Sequence, residues 1–540
     1  MHNPITLKRV LSAAIALSLA ATLSAQKQAE TTKAPSGTLV VGIVIDQLRS
    51  DYIEQLQPQF APDGGFNRLM SQGAYFQNVD FGCRGLDIAS GTALLMTGAY
   101  PNVNGINCQE VYSHEKRRTQ PILNDEECAG VFTNEKLSPK VLKVSTLADE
   151  VRVNNDGLGH VHAIAPDPQQ AIIMAGHAAN SAFWINDVDG RWSTSNFYKD
   201  QPYPLRAGNN LATLSQKLSQ SEWIPLLPLD QYVGIPHARR FYRFRYIFPQ
   251  AAKDRYTSFK KSALVNEEIT SMAIECISHL SLGRRGQMDM LNLGYTAAAY
   301  PFSKDADNRF ELHDTYLRLD QQLGRLFNAI DSLVGAENKV VFVASTGYFT
   351  DPRPVDPKYG IPTGEFFPER GVSLLNMFLM ATYGNAQWVD GYYNKQFFLN
   401  HKQIEQSKLS LAEVRAKSSE FVRQMSGITA AYTYEEILNN PVNDALKALN
   451  RMMLPEYQGD VTIEVAPGWS IVENINAATV TTHVRAEALS TPAFILAPQV
   501  KAERYPEPIQ ATFLAPTLSR ILSVRSPNAA FVMPLSLSSK

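Results

Sequence analysis

The chain has 540 residues, 44% of them hydrophobic, and a formal net charge of -2. That length allows one large α/β domain with insertions, or two to three smaller domains. The near-neutral charge gives no electrostatic case for a nucleic-acid or membrane-surface partner.

Lys8-Arg9 precedes an uncharged apolar run from Val10 to Leu23, followed by Ser24-Ala25-Gln26. This pattern predicts a signal peptide over residues 1–25, because the apolar core is too short to cross a bilayer; an uncleaved anchor is the alternative. Residues 26–37 are polar and predict a flexible tail. No later apolar run reaches spanning length, so no transmembrane segment is expected after cleavage and the protein is expected to be exported, to the periplasm or beyond.

Leu39-Val-Val-Gly-Ile-Val-Ile-Asp46 is an apolar run of strand length that ends in one carboxylate. It predicts a buried parallel strand with Asp46 at its carboxyl end, where open α/β sheets keep their ligand sites. A Gly64-Gly65 turn and short helix follow, then a strand around residues 74–79, then a helix opening near Ile88 and running to Thr97-Gly98, closed by the stretch from Tyr100-Pro101 to Gly105-Ile106. Residues near 107–141 are polar and irregular, as in a surface insertion. Ser145 to Arg152 has helical apolar spacing, and residues near 190–260 form a second insertion, rich in aromatics and proline. Within it, residues 241–246 alternate aromatics with arginines, which suits either a base-stacking platform or an amphipathic capping strand; the lack of net positive charge favours the strand. Further on, residues 262–280 predict a helix, 288–293 a core strand, 312–334 a long helix opened by His313-Asp314, and 339–344 another strand. A third insertion covers residues near 350–475, with a helix over 411–425, before a closing strand at 493–498 and a final helix from Ala515.

The residues Asp46-Gln47, Arg49, Asp51-Tyr52, Thr97-Gly98, Pro101 and Gly105-Ile106 resemble the alkaline phosphatase superfamily, in particular its type I phosphodiesterase/nucleotide pyrophosphatase branch and the phosphate-irrepressible bacterial alkaline phosphatases. The resemblance implies a doubly wound, mainly parallel α/β sheet flanked by helices, with capping insertions, over residues 38–540. It also implies two zinc ions, a Thr or Ser nucleophile at a helix N-terminus, and cations that clamp the phosphoryl oxygens.

The functional positions depart from that pattern. Ile88 stands at the nucleophile position, and a hydrocarbon cannot attack phosphorus. The stretch Ala175-Gly-His177-Ala-Ala-Asn180 fixes a register that puts Asp167 and Gln169 where the family has a Lys-x-Arg clamp, and Gln109 where it has an asparagine. Gly294 to Pro301 contains neither the Asp nor the His of one zinc site, and Ser345-Thr346 replace the Asp-His of the other. Only Asp46 and His483 remain as incomplete relic ligands, and one ligand per site cannot hold zinc.

The expectation is an exported alkaline-phosphatase-like protein without metal or cofactor that acts by binding an unknown ligand, or as part of an envelope assembly. The alternative is a metal-dependent phosphomonoesterase or phosphodiesterase with relocated groups, such as Ser90 or Thr92 as nucleophile and Asp87, Asp305, Asp307 or Asp351 as zinc ligands. His177 is expected to be structural, and His313-Asp314 to be helix-opening residues. Cys83, Cys108, Cys128 and Cys276 are an even set in an exported chain; Cys108 with Cys128 is the first pair to test, and free buried thiols are the alternative.

Overall fold

The computed structural model describes residues 37–201, 214–235, 243–303, 307–350, 360–439, 443–475, 478–485 and 490–539. The signal peptide, most of the tail, Asp305, Asp351 and residues 241–242 of the aromatic run lie outside them.

Ten strands make the main sheet: β1 (Leu39–Asp46), β2 (Ala74–Phe76), β3 (Gly130–Val131), β4 (Val161–Ala165), β5 (Ser181–Ile185), β6 (Trp192–Ser195), β7 (Asp289–Thr296), β8 (Lys339–Ser345), β9 (Ala493–Leu496) and β10 (Glu503–Tyr505). Their order is β10-β2-β9-β8-β1-β7-β4-β5-β6-β3. The five central strands, β8 to β5 in that order, pair in parallel, and antiparallel pairs flank them on both sides. Every residue of β1 is buried, as expected of a strand covered by helices on both faces.

Helices cover the two faces: α1 (Gly65–Gln72), α2 (Ile88–Thr97), α3 (Leu147–Asn154), α4 (Pro168–Ala175), α5 (Leu264–His279), α6 (Arg309–Leu333) and α7 (Leu514–Leu522). One core joins Leu39, Val41 and Ile43 to α5 and α6, and the other joins Val40 and Val44 to α2 and α4, so successive side chains of β1 serve opposite layers. Gly64 and Gly65 let α1 lie against α6; a Cβ on Gly64 would stand 2.0 Å from the Asp320 carboxylate.

The parallel register sets the functional edge. Asp46 lies opposite Thr296 of β7, and Ile45 lies opposite Ser345 of β8. The carboxyl ends of these strands therefore meet at one place, and the segments that leave them form its floor.

Several expected boundaries shift. Trp192–Ser195, placed in the second insertion, is a strand of the main sheet. The first insertion is partly ordered, with a hairpin of Glu110–Ser113 and Arg118–Pro121 and an edge strand at Gly130–Val131. Helix α6 begins at Arg309, so His313 and Asp314 do not open it. Asp314 is fully buried and accepts hydrogen bonds from Trp223 Nε1 at 2.6 Å, Tyr232 Oη at 2.6 Å, Leu226 N at 2.7 Å and Arg318 Nε at 2.7 Å. It ties the second insertion to α6, which the sequence did not reveal. Trp223, Phe244, Tyr246 and Tyr300 pack ring to ring beside it, as capping structure does.

The third insertion is a lobe with its own core. Strands Val389–Tyr393, Gln396–Leu399, Ile428–Thr433 and Val461–Val465 form a four-stranded sheet, packed by helices Pro368–Tyr383 and Leu411–Val422 around Leu375, Phe397 and Val414. A three-stranded sheet of Gly364–Phe366, Trp469–Ile475 and Ala478–His483 adjoins it.

Cys108 and Cys128 are not joined. All four cysteines are free thiols, with Cys108 Sγ 2.7 Å from the Glu110 carbonyl and Cys128 Sγ 3.3 Å from Asp125 Oδ2.

Candidate functional site

Asp46 is only 5% exposed, and its Oδ1 accepts a hydrogen bond from Thr346 Oγ1 at 3.0 Å. Thr346 Oγ1 in turn accepts from the Gln47 amide at 2.9 Å. Burial raises the Asp46 pKa, while the charge of Lys261 and hydrogen bonds from Tyr348, Thr346 and Gln47 pull it back. The hydroxyl of the neighbouring Ser345 accepts instead from the Gly347 amide at 3.4 Å.

Gln47 holds this corner in a strained shape. Its φ is 60°, uncommon for a residue with a side chain, and its Oε1 accepts from both the amide and the hydroxyl of Thr350 at 2.8 Å. The family pattern flags Asp46-Gln47 as a pair, but only the fold shows that Gln47 pins the loop after β8.

The nucleophile position is the first turn of α2. Asp87 caps that helix: its Oδ1 accepts from the Ser90 amide at 3.0 Å and from Ser90 Oγ at 2.8 Å. Ser90 is fully buried and its hydroxyl is used in this capping box, and Thr92 is fully buried too, so neither is presented as a nucleophile. Ile88 opens the helix with a half-buried side chain that offers no reactive atom. Gly91 lets α2 sit against the strand end, since a Cβ there would stand 2.0 Å from the Thr346 carbonyl oxygen.

The three residues assigned to the clamp positions lie together. Gln109 Nε2 donates to Asp167 Oδ2 at 3.0 Å, Gln169 Nε2 donates to the Gln109 carbonyl at 2.9 Å, and the Gln109 amide donates to Asp87 Oδ2. Asp167 also caps α4 through the Gln170 amide at 3.0 Å. Where the resemblance implies cations, amides and carboxylates bond one another. Burial pushes the Asp87 carboxyl up to about 6; the Ser90 and Gln109 amides oppose the rise and the Asp167 charge adds to it.

His483 does not meet Asp46 in a shared ligand set. It ends the strand Ala478–His483 of the small sheet, with Nδ1 2.7 Å from Ser470 Oγ, and it lines a cleft of about 1120 Å³ together with Asp87 and Tyr348. Among the described residues no three His, Cys, Asp or Glu side chains gather into a group that could hold a metal ion. At the zinc positions the available groups are one hydrogen-bonded carboxylate, neutral hydroxyls and Ala297-Ala298-Ala299, a donor set that does not fit Zn²⁺.

The remaining expected residues are structural. His177 donates from Nδ1 to Asp149 Oδ2 (3.3 Å) and from Nε2 to the Leu142 carbonyl (3.0 Å), and the Asp149 hydrogen bond raises its pKa. Asp307 is ion-paired with Arg309. Sequence reasoning missed Tyr348, which reaches the Asp46–Gln47 corner and whose hydroxyl burial makes reluctant to ionise, and Lys395, which lines the same cleft.

A ligand edge at the ends of parallel strands, with a capped helix opening beside a strand-end aspartate, defines an open α/β protein with its site at the strand ends. The chain belongs to the type I phosphodiesterase/nucleotide pyrophosphatase family, whose model matches residues 40–487. It is similar to the alkaline phosphatase PafA of Elizabethkingia meningoseptica, 26% identical over 95% of this chain and 96% of the relative. It is also similar to the alkaline phosphatase PhoV of Synechococcus elongatus, 25% identical over 91% of each chain. The crystal structure of wild-type PafA shares the fold, with a TM-score of 0.79 and 24% identity over 93% of this chain and 98% of that one. No helix among the described residues is long and apolar enough to cross a membrane.

Proposed function

We propose that this chain is an exported, phosphatase-like protein that does not hydrolyse phosphate esters and acts by binding a ligand in the cleft beside Asp87 and His483. The observation that carries this reading is the pairing of Thr346 with Asp46. At the strand end where the family resemblance implies a metal-ligating histidine, a neutral hydroxyl donates to the one remaining carboxylate. A two-metal mechanism needs two ions about 4 Å apart to stabilise attacking and leaving oxygens. The amide and carboxylate mesh of Asp87, Gln109, Asp167 and Gln169 supports the same reading, because it supplies hydrogen bonds but no cation for a phosphoryl group.

The test is metal analysis of the protein purified without chelator, with assays on phosphomonoesters and phosphodiesters. The expected result is no stoichiometric zinc and negligible turnover. About two zinc ions per chain with turnover would instead establish the metal-dependent hydrolase with relocated groups. Export to the periplasm is part of the proposal, and cell fractionation with N-terminal sequencing of the mature chain tests it.

A further inference from the structure

The hairpin of Val389–Tyr393 and Gln396–Leu399 turns on Asn394 and Lys395, with φ of 46° and 60°. Two successive left-handed residues match the twist of a hairpin, and the second position favours glycine. A lysine there keeps its side chain despite that preference. Lys395 lines two adjoining cavities, of about 1120 Å³ and 670 Å³, which also share Cys83, Gly85 and Arg485.

Among the described residues the Lys395 ammonium makes no hydrogen bond or ion pair. Burial lowers its pKa; Glu464 and Glu473 oppose this through space, and Glu464 is itself paired with Arg84. Lys395 is half-buried on the cleft wall, and its ammonium has three donors to offer a ligand that enters. The larger cavity is also lined by Asp87, Glu110, Glu369 and Glu473, by Arg485 and by Tyr393, while the neighbouring Tyr392 turns its ring to Phe366 and Phe397 of the lobe core. Carboxylates accept from hydroxyls and repel further anionic groups; tyrosine rings offer flat apolar faces with a polar edge.

We propose that this cleft binds an acidic saccharide: Lys395 holds one oxyanion group, the carboxylates accept from sugar hydroxyls, and Tyr393 lies along the ring. This rests on the non-hydrolytic reading of the same cleft. A polyanion would meet the carboxylates, and an apolar ligand would leave both signs of charge unpaired. A uronate and a sugar phosphate share the required chemistry.

The full chain and its Lys395→Gly and Lys395→Gln variants are melted with glucuronate, glucose 6-phosphate, glucose or inorganic phosphate, and affinities are measured by calorimetry. Glucuronate or glucose 6-phosphate should raise the melting temperature of the wild type more than glucose or inorganic phosphate does, and the better of the two identifies the oxyanion. Either substitution should weaken that binding about ten- to a hundredfold, the size of a lost charge-assisted hydrogen bond. Lys395→Gly suits the positive φ, so without ligand it should melt no lower than the wild type. No stabilisation by the two acidic sugars, stabilisation by inorganic phosphate alone, or unchanged affinity in Lys395→Gly overturns the proposal. Phosphate release from glucose 6-phosphate by the wild type would overturn the non-hydrolytic reading instead, while the glucuronate arm, which contains no phosphate, still reports on Lys395.

Discussion

Thr346 Oγ1 donates to Asp46 Oδ1 across 3.0 Å while accepting from the Gln47 amide at 2.9 Å, so one hydroxyl satisfies a buried carboxylate and a strained backbone turn together. Thr346→Val removes both bonds and should destabilise the fold by about 2 kcal/mol, the cost of leaving buried polar groups unpaired. Asp46→Asn keeps an acceptor oxygen and should change stability by less than about 1 kcal/mol. Urea denaturation of both single mutants and the double mutant checks this. A Thr346→Val loss as small as that of Asp46→Asn would remove the claim that Thr346 holds this corner.

Restoring a hydroxyl should not restore chemistry. Ile88→Thr supplies the missing nucleophile type at the start of α2, but without a metal or a base its hydroxyl stays protonated and weakly nucleophilic. Phosphomonoester turnover should remain at background with or without added Zn²⁺. Metal-dependent turnover from this single change would show that a metal site exists.

Metal ions should leave the melting temperature unchanged. A ligand that binds only the folded state raises its melting point. Wild type, Asp46→Asn and His483→Ala should each melt alike with Zn²⁺, Mg²⁺, Ca²⁺ or chelator. A zinc-induced rise in the wild type that either substitution abolishes would place a working site around these two residues.

Asp87 should leave a pH signature. Its carboxyl is raised from 3.8 to about 6 in the fold, so the folded state holds this proton more tightly than the unfolded chain. The stability it contributes is fully present below about pH 4 and is lost as pH rises through about 6. The melting difference between Asp87→Asn and wild type should therefore shift in favour of the mutant from pH 4 to pH 7. A difference that stays flat across that range would mean Asp87 titrates normally.

Gly91 offers a steric test of how α2 meets the sheet. Its missing Cβ would stand 2.0 Å from the Thr346 carbonyl oxygen. Gly91→Ala should cost about 1–3 kcal/mol, as overpacking does, despite alanine's better helix propensity. Equal or greater stability, measured by urea denaturation, would show that the two segments are not in contact.

The sequence by itself determined the core strands near residues 39–46, 288–293 and 339–344 and the long helices beside them, because apolar periodicity reports which faces are buried. Ile88, Gln109, Asp167 and Gln169 were assigned their positions from the family resemblance and from the register of Ala175 to Asn180. The partners of those residues were not legible. Thr346 reaches Asp46 only because β1 and β8 lie side by side in parallel, which joins residues 300 positions apart. Likewise, Asp314 looked like a helix-opening residue until the fold placed Trp223, Tyr232 and Arg318 around it. His483 was read as an incomplete relic ligand, and only the fold shows its strand in a separate small sheet, while Lys395 carried no sequence signal at all. Local pattern encodes burial within each element, whereas hydrogen-bond partners and cleft walls depend on sheet order and on where insertions dock, which only the tertiary structure decided.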